Sequence, residues 1–140
     1  MSCAQPILLI EDDPVDALAI RRALDAPSAT DAVIHASSVR EALAVLHSRG
    51  SPRPALILLD LNMPGTDGLT FLQIVKDDPD LRDIPIVALT VSDESEDIAC
   101  SFDRGVAGYM VKSADYACLQ ETVRTIQHYW NLNRLPACPT

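Results

Sequence analysis

The chain has 140 residues, 48% of them hydrophobic, which is enough to bury one core and predicts a single domain. A formal net charge of -9 disfavours nucleic-acid binding, because affinity for phosphate backbones is built on Lys and Arg that displace counterions. The longest apolar run is far short of a membrane span, and the first residues lack a charged leader with a cleavage site, so no membrane contact and a cytoplasmic location are expected.

Residues 6–10 form a continuous apolar run that stops at Glu11, Asp12 and Asp13, the pattern of a strand covered on both faces whose carboxyl end meets solvent. Asp13 and Pro14 then supply an N-cap and a first-turn proline, and Val15, Leu18, Ala19, Ile20 and Leu24 recur at helical spacing. A second strand is predicted over 32–36. Ser38 opens a helix carried by Ala42, Leu43, Val45 and Leu46 that ends near Gly50. The buried-strand run returns over 54–59 and again stops at a carboxylate, Asp60. A loop over 61–67, with Pro64 and Gly65, precedes a third helix through Leu69, Leu72, Ile74 and Val75. The fourth strand, 84–89, tolerates Pro85 near its start and ends at Thr90. A polar helix over 95–104, a short strand over 108–111 and a long amphipathic helix over 115–132 complete five strands alternating with five helices. Only 133–140, with Pro136 and Pro139, looks irregular.

Such alternation with uniformly apolar strands implies right-handed crossovers and a five-stranded parallel sheet covered on both faces, a doubly wound α/β domain. Ligands in that class bind beyond the carboxyl ends of the strands, near the point where the winding reverses. Glu11 and Asp12 follow the first strand, Asp60 the third and Lys112 the fifth, while Thr90 ends the fourth, so all meet at one edge. Taken singly, the acids cap a helix or open a turn and Lys112 is a solvated charge. Taken together, three carboxylates at one edge repel unless a cation is present, and hard oxygen ligands with open positions suit Mg²⁺. A cation with a carboxylate, a lysine and a hydroxyl is the equipment of phosphoryl transfer. His35, His47 and His128 have no carboxylate or cysteine partners at useful spacing and receive no such role. Cys3, Cys100, Cys118 and Cys138 are scattered, with no C-x-x-C pair, so reduced and partly buried thiols are expected rather than a zinc site or a disulfide framework.

Over roughly 6–132 the sequence resembles the receiver domains of bacterial response regulators. The matching pieces are I-L-L-I-E-D at 7–12, L-I-L-L-D-L-N-M-P-G-T-D-G at 56–68, I-V-A-L-T at 86–90 and G-Y-M-V-K at 108–112. The resemblance implies a receiver domain over 1–132 with the flavodoxin-like (βα)5 fold and strand order 2-1-3-4-5, followed by a C-terminal extension over 133–140. It implies that Asp60 is the nucleophile that takes a phosphoryl group from a kinase phosphohistidine. Mg²⁺ would be held by Asp12, Asp60 and the backbone carbonyl of Asn62, and by Glu11 through a water. The first two acids of the E-D-D run align with the family's pair, leaving Asp13 as helix N-cap; Asp12 with Asp13 is the alternative pair. Lys112 would neutralise charge on the phosphoryl oxygens and Thr90 would hydrogen-bond one of them after transfer. Tyr109 would be the switch aromatic, turning as the loop after strand four moves and reshaping the face of helix four, strand five and helix five. Its plain alternative is a half-buried strand aromatic. Val91 and Ser92 would line the approach to Asp60. A receiver's own chemistry is autophosphorylation and autodephosphorylation, so the chain is expected to be a phosphoacceptor signalling protein and not an ordinary enzyme.

One departure concerns Ser113, where the family commonly has a proline in a cis peptide after its lysine. A non-proline cis bond costs roughly 2.5–4 kcal/mol, so either the fold maintains it or Lys112 is aimed differently. L-T-V-S at 89–92, V-K-S at 111–113 and H-Y-W-N-L-N-R-L-P at 128–136 resemble the stand-alone regulators that serve phytochrome-type photoreceptor kinases. The implied partner is a sensor histidine kinase of the bacteriophytochrome type. Trp130, Leu132 and Leu135 either close the core or mark an interface, and the expectation is a homodimer through the last helix and the C-terminal end. Three rivals fare worse. A phosphatase-type hydrolase needs a second acid where Asn62 stands; a cofactor binder needs a phosphate cradle where Glu11-Asp12-Asp13-Pro14 offers negative charge; and an inert scaffold has no use for a site with every position filled.

Overall fold

The computed structural model describes residues 6–24, 33–50, 53–61, 63, 68–91 and 93–132. Five strands alternate with five helices: β1 (Ile7–Ile10), α1 (Pro14–Leu24), β2 (Val33–Ala36), α2 (Val39–Leu46), β3 (Leu56–Leu59), α3 (Gly68–Asp77), β4 (Ile86–Thr90), α4 (Ser95–Asp103), β5 (Gly108–Val111) and α5 (Tyr116–Leu132). All pairings are parallel, in the order β2-β1-β3-β4-β5. The flavodoxin-like doubly wound sheet is therefore present as expected.

The two-sided burial of the strands explains their lack of polar alternation. Leu8, Ile10, Ile57, Leu59, Ile86 and Ala88 face Val39 and Ala42 of α2 and Phe71, Leu72 and Val75 of α3. Their neighbours Ile7, Leu9, Leu56, Leu58, Val87 and Leu89 face the other way, onto Ala17, Ile20 and Leu24 of α1 and Leu119, Val123 and Ile126 of α5. Period-two geometry thus needs apolar residues at every position. Helix α4 is embedded differently: Ser101 is its one buried residue, with its hydroxyl turned back onto the Asp97 carbonyl at 2.8 Å.

Local chemistry sets the element ends. Asp13 Oδ1 accepts from the backbone N–H groups of Val15 (2.9 Å) and Asp16 (3.4 Å), so Asp13 is the N-cap of α1. Ser38 caps α2 in the same way, accepting from Glu41 N at 3.1 Å while the Glu41 carboxylate returns to Ser37. The second helix stops at Leu46 rather than near Gly50, because His47 already has non-helical backbone angles. The fourth strand begins at Ile86 and not at 84. Ile84 N bonds the Leu81 carbonyl in a turn, and Pro85 has no N–H to enter a ladder. Trp130 is half-buried and packs against the α1/α5 core cluster; the side chain of Leu132, Leu135 and the whole extension over 133–140 lie outside the described residues. Cys100 is half-buried, whereas Cys118 is exposed, and Cys3 and Cys138 lie outside the described residues. Among the described residues no helix is long and apolar enough to cross a membrane.

Gly68 opens α3 where the chain leaves the loop after Asp60. A Cβ there would meet Leu61 Cδ2 at 2.8 Å and Leu61 Cα at 3.1 Å. Gly68→Ala is expected to destabilise the fold by about 1–3 kcal/mol through overpacking, measured by urea denaturation. A midpoint equal to wild type would contradict this close approach.

Candidate functional site

The parallel ladder carries past the last residue of each strand and aligns the acids. Ile10 pairs with Leu59, and one step further Asp60 N donates to the Ile10 carbonyl at 3.1 Å while Glu11 N donates to the Ala36 carbonyl at 3.1 Å. Glu11 and Asp60 therefore leave adjacent strands side by side, where the winding reverses between β1 and β3. Thr90, fully buried, ends β4 at the same edge, and Lys112 N donates to its carbonyl at 2.7 Å. Four of the expected site residues, Glu11, Asp60, Thr90 and Lys112, are buried, which for the three charged ones is unusual without strong pairing.

The pairing is strong. Lys112 Nζ lies 2.7 Å from Glu11 Oε2, 2.9 Å from Asp16 Oδ2 and 3.3 Å from Asp60 Oδ2. Carboxylate oxygens of Glu11, Asp12 and Asp60 all lie within 4.8 Å of one another, and Asp12 is the exposed member. Asp13 stands outside this cluster as the helix cap, which favours Glu11 with Asp12 over the alternative pair. All peptide bonds among the described residues are trans, including the one after Lys112. The lysine reaches the acids without the cis peptide that the family's proline would give.

The electrostatics follow from burial. Loss of solvent pushes the Glu11 carboxyl up to about 7; the Lys112 hydrogen bond pulls against this and the Asp60 carboxylate adds to it. Burial alone would lower Lys112, but the hydrogen bonds to Glu11 and Asp16 and the charge of Asp60 outweigh it and hold the ammonium above its ordinary range. One permanent cation thus faces several carboxylates. A donor set of three carboxylates with an open, partly exposed side suits a hard divalent ion, so the residues fit the metal that their pattern implies.

Asn62 and Ser92 lie outside the described residues, as do Pro64 and Gly65; Val91 is exposed at the end of β4. Tyr109 is half-buried on β5, opposite Ala88 of β4, and packs against the core cluster on the side of α2 and α3. Asp16 is a site residue that the sequence reading misses, although it touches Lys112. Its place in the first turn of α1, directly after the acid run, is the available signal. Tyr116, whose hydroxyl donates to Asp16 Oδ1 at 3.2 Å, has no such signal. His35 also contributes unexpectedly: its Nε2 lies 2.8 Å from the Glu11 carbonyl and helps fix that backbone.

A doubly wound sheet that gathers an acid pair, a third carboxylate, a threonine and a lysine at its carboxyl edge has the form of a phosphorylation-controlled signalling domain. The response regulator receiver domain family matches residues 7–124, and the chain belongs to that family. Response regulator Rcp1 of Synechocystis sp. is 37% identical over 128 residues, covering 89% of this chain and 87% of that protein. The crystal structure of the phosphorylated cyanobacterial phytochrome response regulator RcpA superposes with a TM-score of 0.91 at 36% identity, covering 96% of this chain and 100% of that one. The Mn²⁺-bound form of Rcp1 gives a TM-score of 0.87 at 36% identity, covering 95% of this chain and 99% of that one.

The raised Glu11 carboxyl has a measurable consequence. Its folded value near 7 lies above the ordinary 4.5, so the folded state binds more protons and its stability falls as pH rises from 4.5 to about 7. In chelator, wild type is expected to lose stability relative to Glu11→Gln across that window in urea denaturation, and saturating Mg²⁺ is expected to offset the loss. A wild-type-minus-variant difference independent of pH would contradict the assignment.

Proposed function

We propose that the chain is a single-domain response regulator that accepts a phosphoryl group on Asp60 from a histidine kinase in a Mg²⁺-dependent reaction. The observation that carries this reading is the buried Lys112 ammonium set between Glu11 and Asp60, with Asp12 completing the acid cluster. Asp12, Asp60 and the backbone carbonyl of Asn62 would hold the metal, and Glu11 would reach it through a water. Bound there, the ion would supply charge screening for the transferring phosphoryl group. An Asp60 carboxylate oxygen attacks phosphorus, the N–P bond of the phosphohistidine breaks, and the imidazole leaves with the electron pair. Lys112 stays charged throughout and offsets the negative charge gathering at Asp60.

In this reading Thr90 and Tyr109 form the switch. A dianionic group on Asp60 attracts the Thr90 hydroxyl, and Tyr109 turns on its partly buried side of β5. Helix α4, with a single buried residue, is the element that can shift at least cost. Autophosphorylation and autodephosphorylation are the only chemistry assigned, and the output is binding. Likeness to phytochrome response regulators supports a bacteriophytochrome as the partner kinase and a cytoplasmic location. A homodimer through α5 is also proposed, with 133–140 adjoining it as a C-terminal extension to the receiver domain over 1–132; the exposed Tyr129, in edge contact with Trp130, supports it.

Incubation with acetyl phosphate and Mg²⁺, followed by intact-mass spectrometry, is expected to add one phosphoryl group to wild type and none to Asp60→Asn. Chelator abolishes the increment, and Lys112→Ala slows it by about a hundredfold, the scale of losing one oriented charge-stabilising donor. A folded wild type that gains nothing would sink the reading. Light scattering on the same samples tests the dimer, which fails if a single-chain mass is found in both phosphorylation states. Tyr129→Ser is the variant to compare, because Ile126 lies in the core and truncation before it would damage the fold.

A further inference from the structure

We infer that Asp16 is a positioning residue that holds the Lys112 ammonium off Asp60, and that its hydrogen bond with Tyr116 couples the occupancy of Asp60 to the start of α5. The inference rests on Asp60 being the phosphoacceptor and adds to it a route to a second face of the domain. An ammonium has three N–H donors and no acceptor. Lys112 has three carboxylate partners, and the contacts to Glu11 (2.7 Å) and Asp16 (2.9 Å) are shorter than that to Asp60 (3.3 Å). Of the three, the acceptor carboxylate is thus the one the lysine holds most loosely in the resting state, which keeps its oxygen nucleophilic.

A phosphoryl group on Asp60 takes over the lysine's present Asp60 contact and draws the ammonium toward itself, so the contacts to Glu11 and Asp16 are stretched. Glu11 cannot be released cheaply. Its side chain is 1% exposed, and a buried carboxylate stripped of its cation is strongly disfavoured. Its other oxygen is also tied to Asp13 N at 3.1 Å. The Asp16 side chain is 19% exposed, so water can replace the ammonium there, and Asp16 is the partner that lets go. Its Oδ1 accepts from the Tyr116 hydroxyl at 3.2 Å, and Tyr116 is the first residue of α5. Once the carboxylate no longer shares its charge with Lys112, the Tyr116 bond becomes the stronger of its remaining interactions. The change reaches a corner where α1 and α5 are already laced together, with Gln120 Nε2 on the Ala19 carbonyl and Gln127 Nε2 on the Leu24 carbonyl, both at 3.3 Å.

The chain has two lysines, Lys76 and Lys112, so side-chain ¹⁵N-lysine labelling of the full chain gives a reporter at the site and a control remote in the sequence. Without metal, Asp16→Asn is expected to move the Lys112 Nζ signal and leave Lys76 in place. With Mg²⁺ and beryllofluoride as the phosphoryl mimic, Asp16→Asn is expected to bind the mimic roughly 1.5-fold to fivefold more tightly, the range set by one partly exposed ion pair. Backbone amides at 116–119 should respond to the mimic in wild type and lose that response in Tyr116→Phe, while the variant still binds it. An unmoved Lys112 signal together with unchanged affinity in Asp16→Asn overturns the inference and leaves the phosphoacceptor reading intact. A wild type that does not bind the mimic, despite a Lys112 signal that Asp16→Asn displaces, overturns the phosphoacceptor reading and the coupling with it.

Discussion

Everything at the carboxyl edge of the sheet depends on one imbalance: a single buried ammonium, Lys112, shared among the carboxylates of Glu11, Asp16 and Asp60. Removing such groups from water costs several kcal/mol per ion unless each finds a partner, so the arrangement persists only because all of them converge. Convergence is in turn a product of topology. The reversal of winding between β1 and β3 sets Glu11 beside Asp60, and the placement of β5 at the edge of the sheet leaves Lys112 to reach across β4 with its flexible stem. The residual negative charge suits the cluster to a divalent cation.

The two faces of the sheet are covered unequally. The α1/α5 side is tied to the site through Asp16 and Tyr116 and packed through Ile20, Leu119 and Val123. On the other side α2 and α3 bury apolar faces against the sheet, while α4 contributes only Ser101 to the interior. A change in charge at Asp60 therefore meets two kinds of resistance. In the proposed switch, α4, whose one buried residue is Ser101, would be the element that shifts at least cost.

The strands and the convergence of Glu11 and Asp60 at one edge were legible because, in a 140-residue chain, an unbroken apolar run that stops at a carboxylate fits little besides a doubly covered strand. Caps at Asp13 and Ser38 were legible because a side-chain oxygen before a helical period has a single local use. What escaped was decided by tertiary geometry. Asp16 shows in sequence as one more acid in a helix's first turn, and nothing local says that a lysine 96 residues away will reach it. Tyr116 is linked to Asp16 only because α1 and α5 lie side by side, and the start of β4 moved from 84 to 86 because a turn claimed Ile84. The Ser113 departure raised a choice between a cis peptide and a redirected lysine. The peptide is trans, and Lys112 still enters the cluster.

The proposed function requires Asp60 to be the carboxylate that carries the phosphoryl group, although several other acids stand close by. Borohydride reduction after acetyl phosphate treatment tests this most directly, because an acyl phosphate is reduced to the alcohol and leaves homoserine at the phosphorylated position. Tandem mass spectrometry is predicted to find homoserine at position 60, with Asp12, Asp13 and Asp16 unaltered. Reduction at any of those positions, or at none after a confirmed mass gain, would contradict the assignment of Asp60.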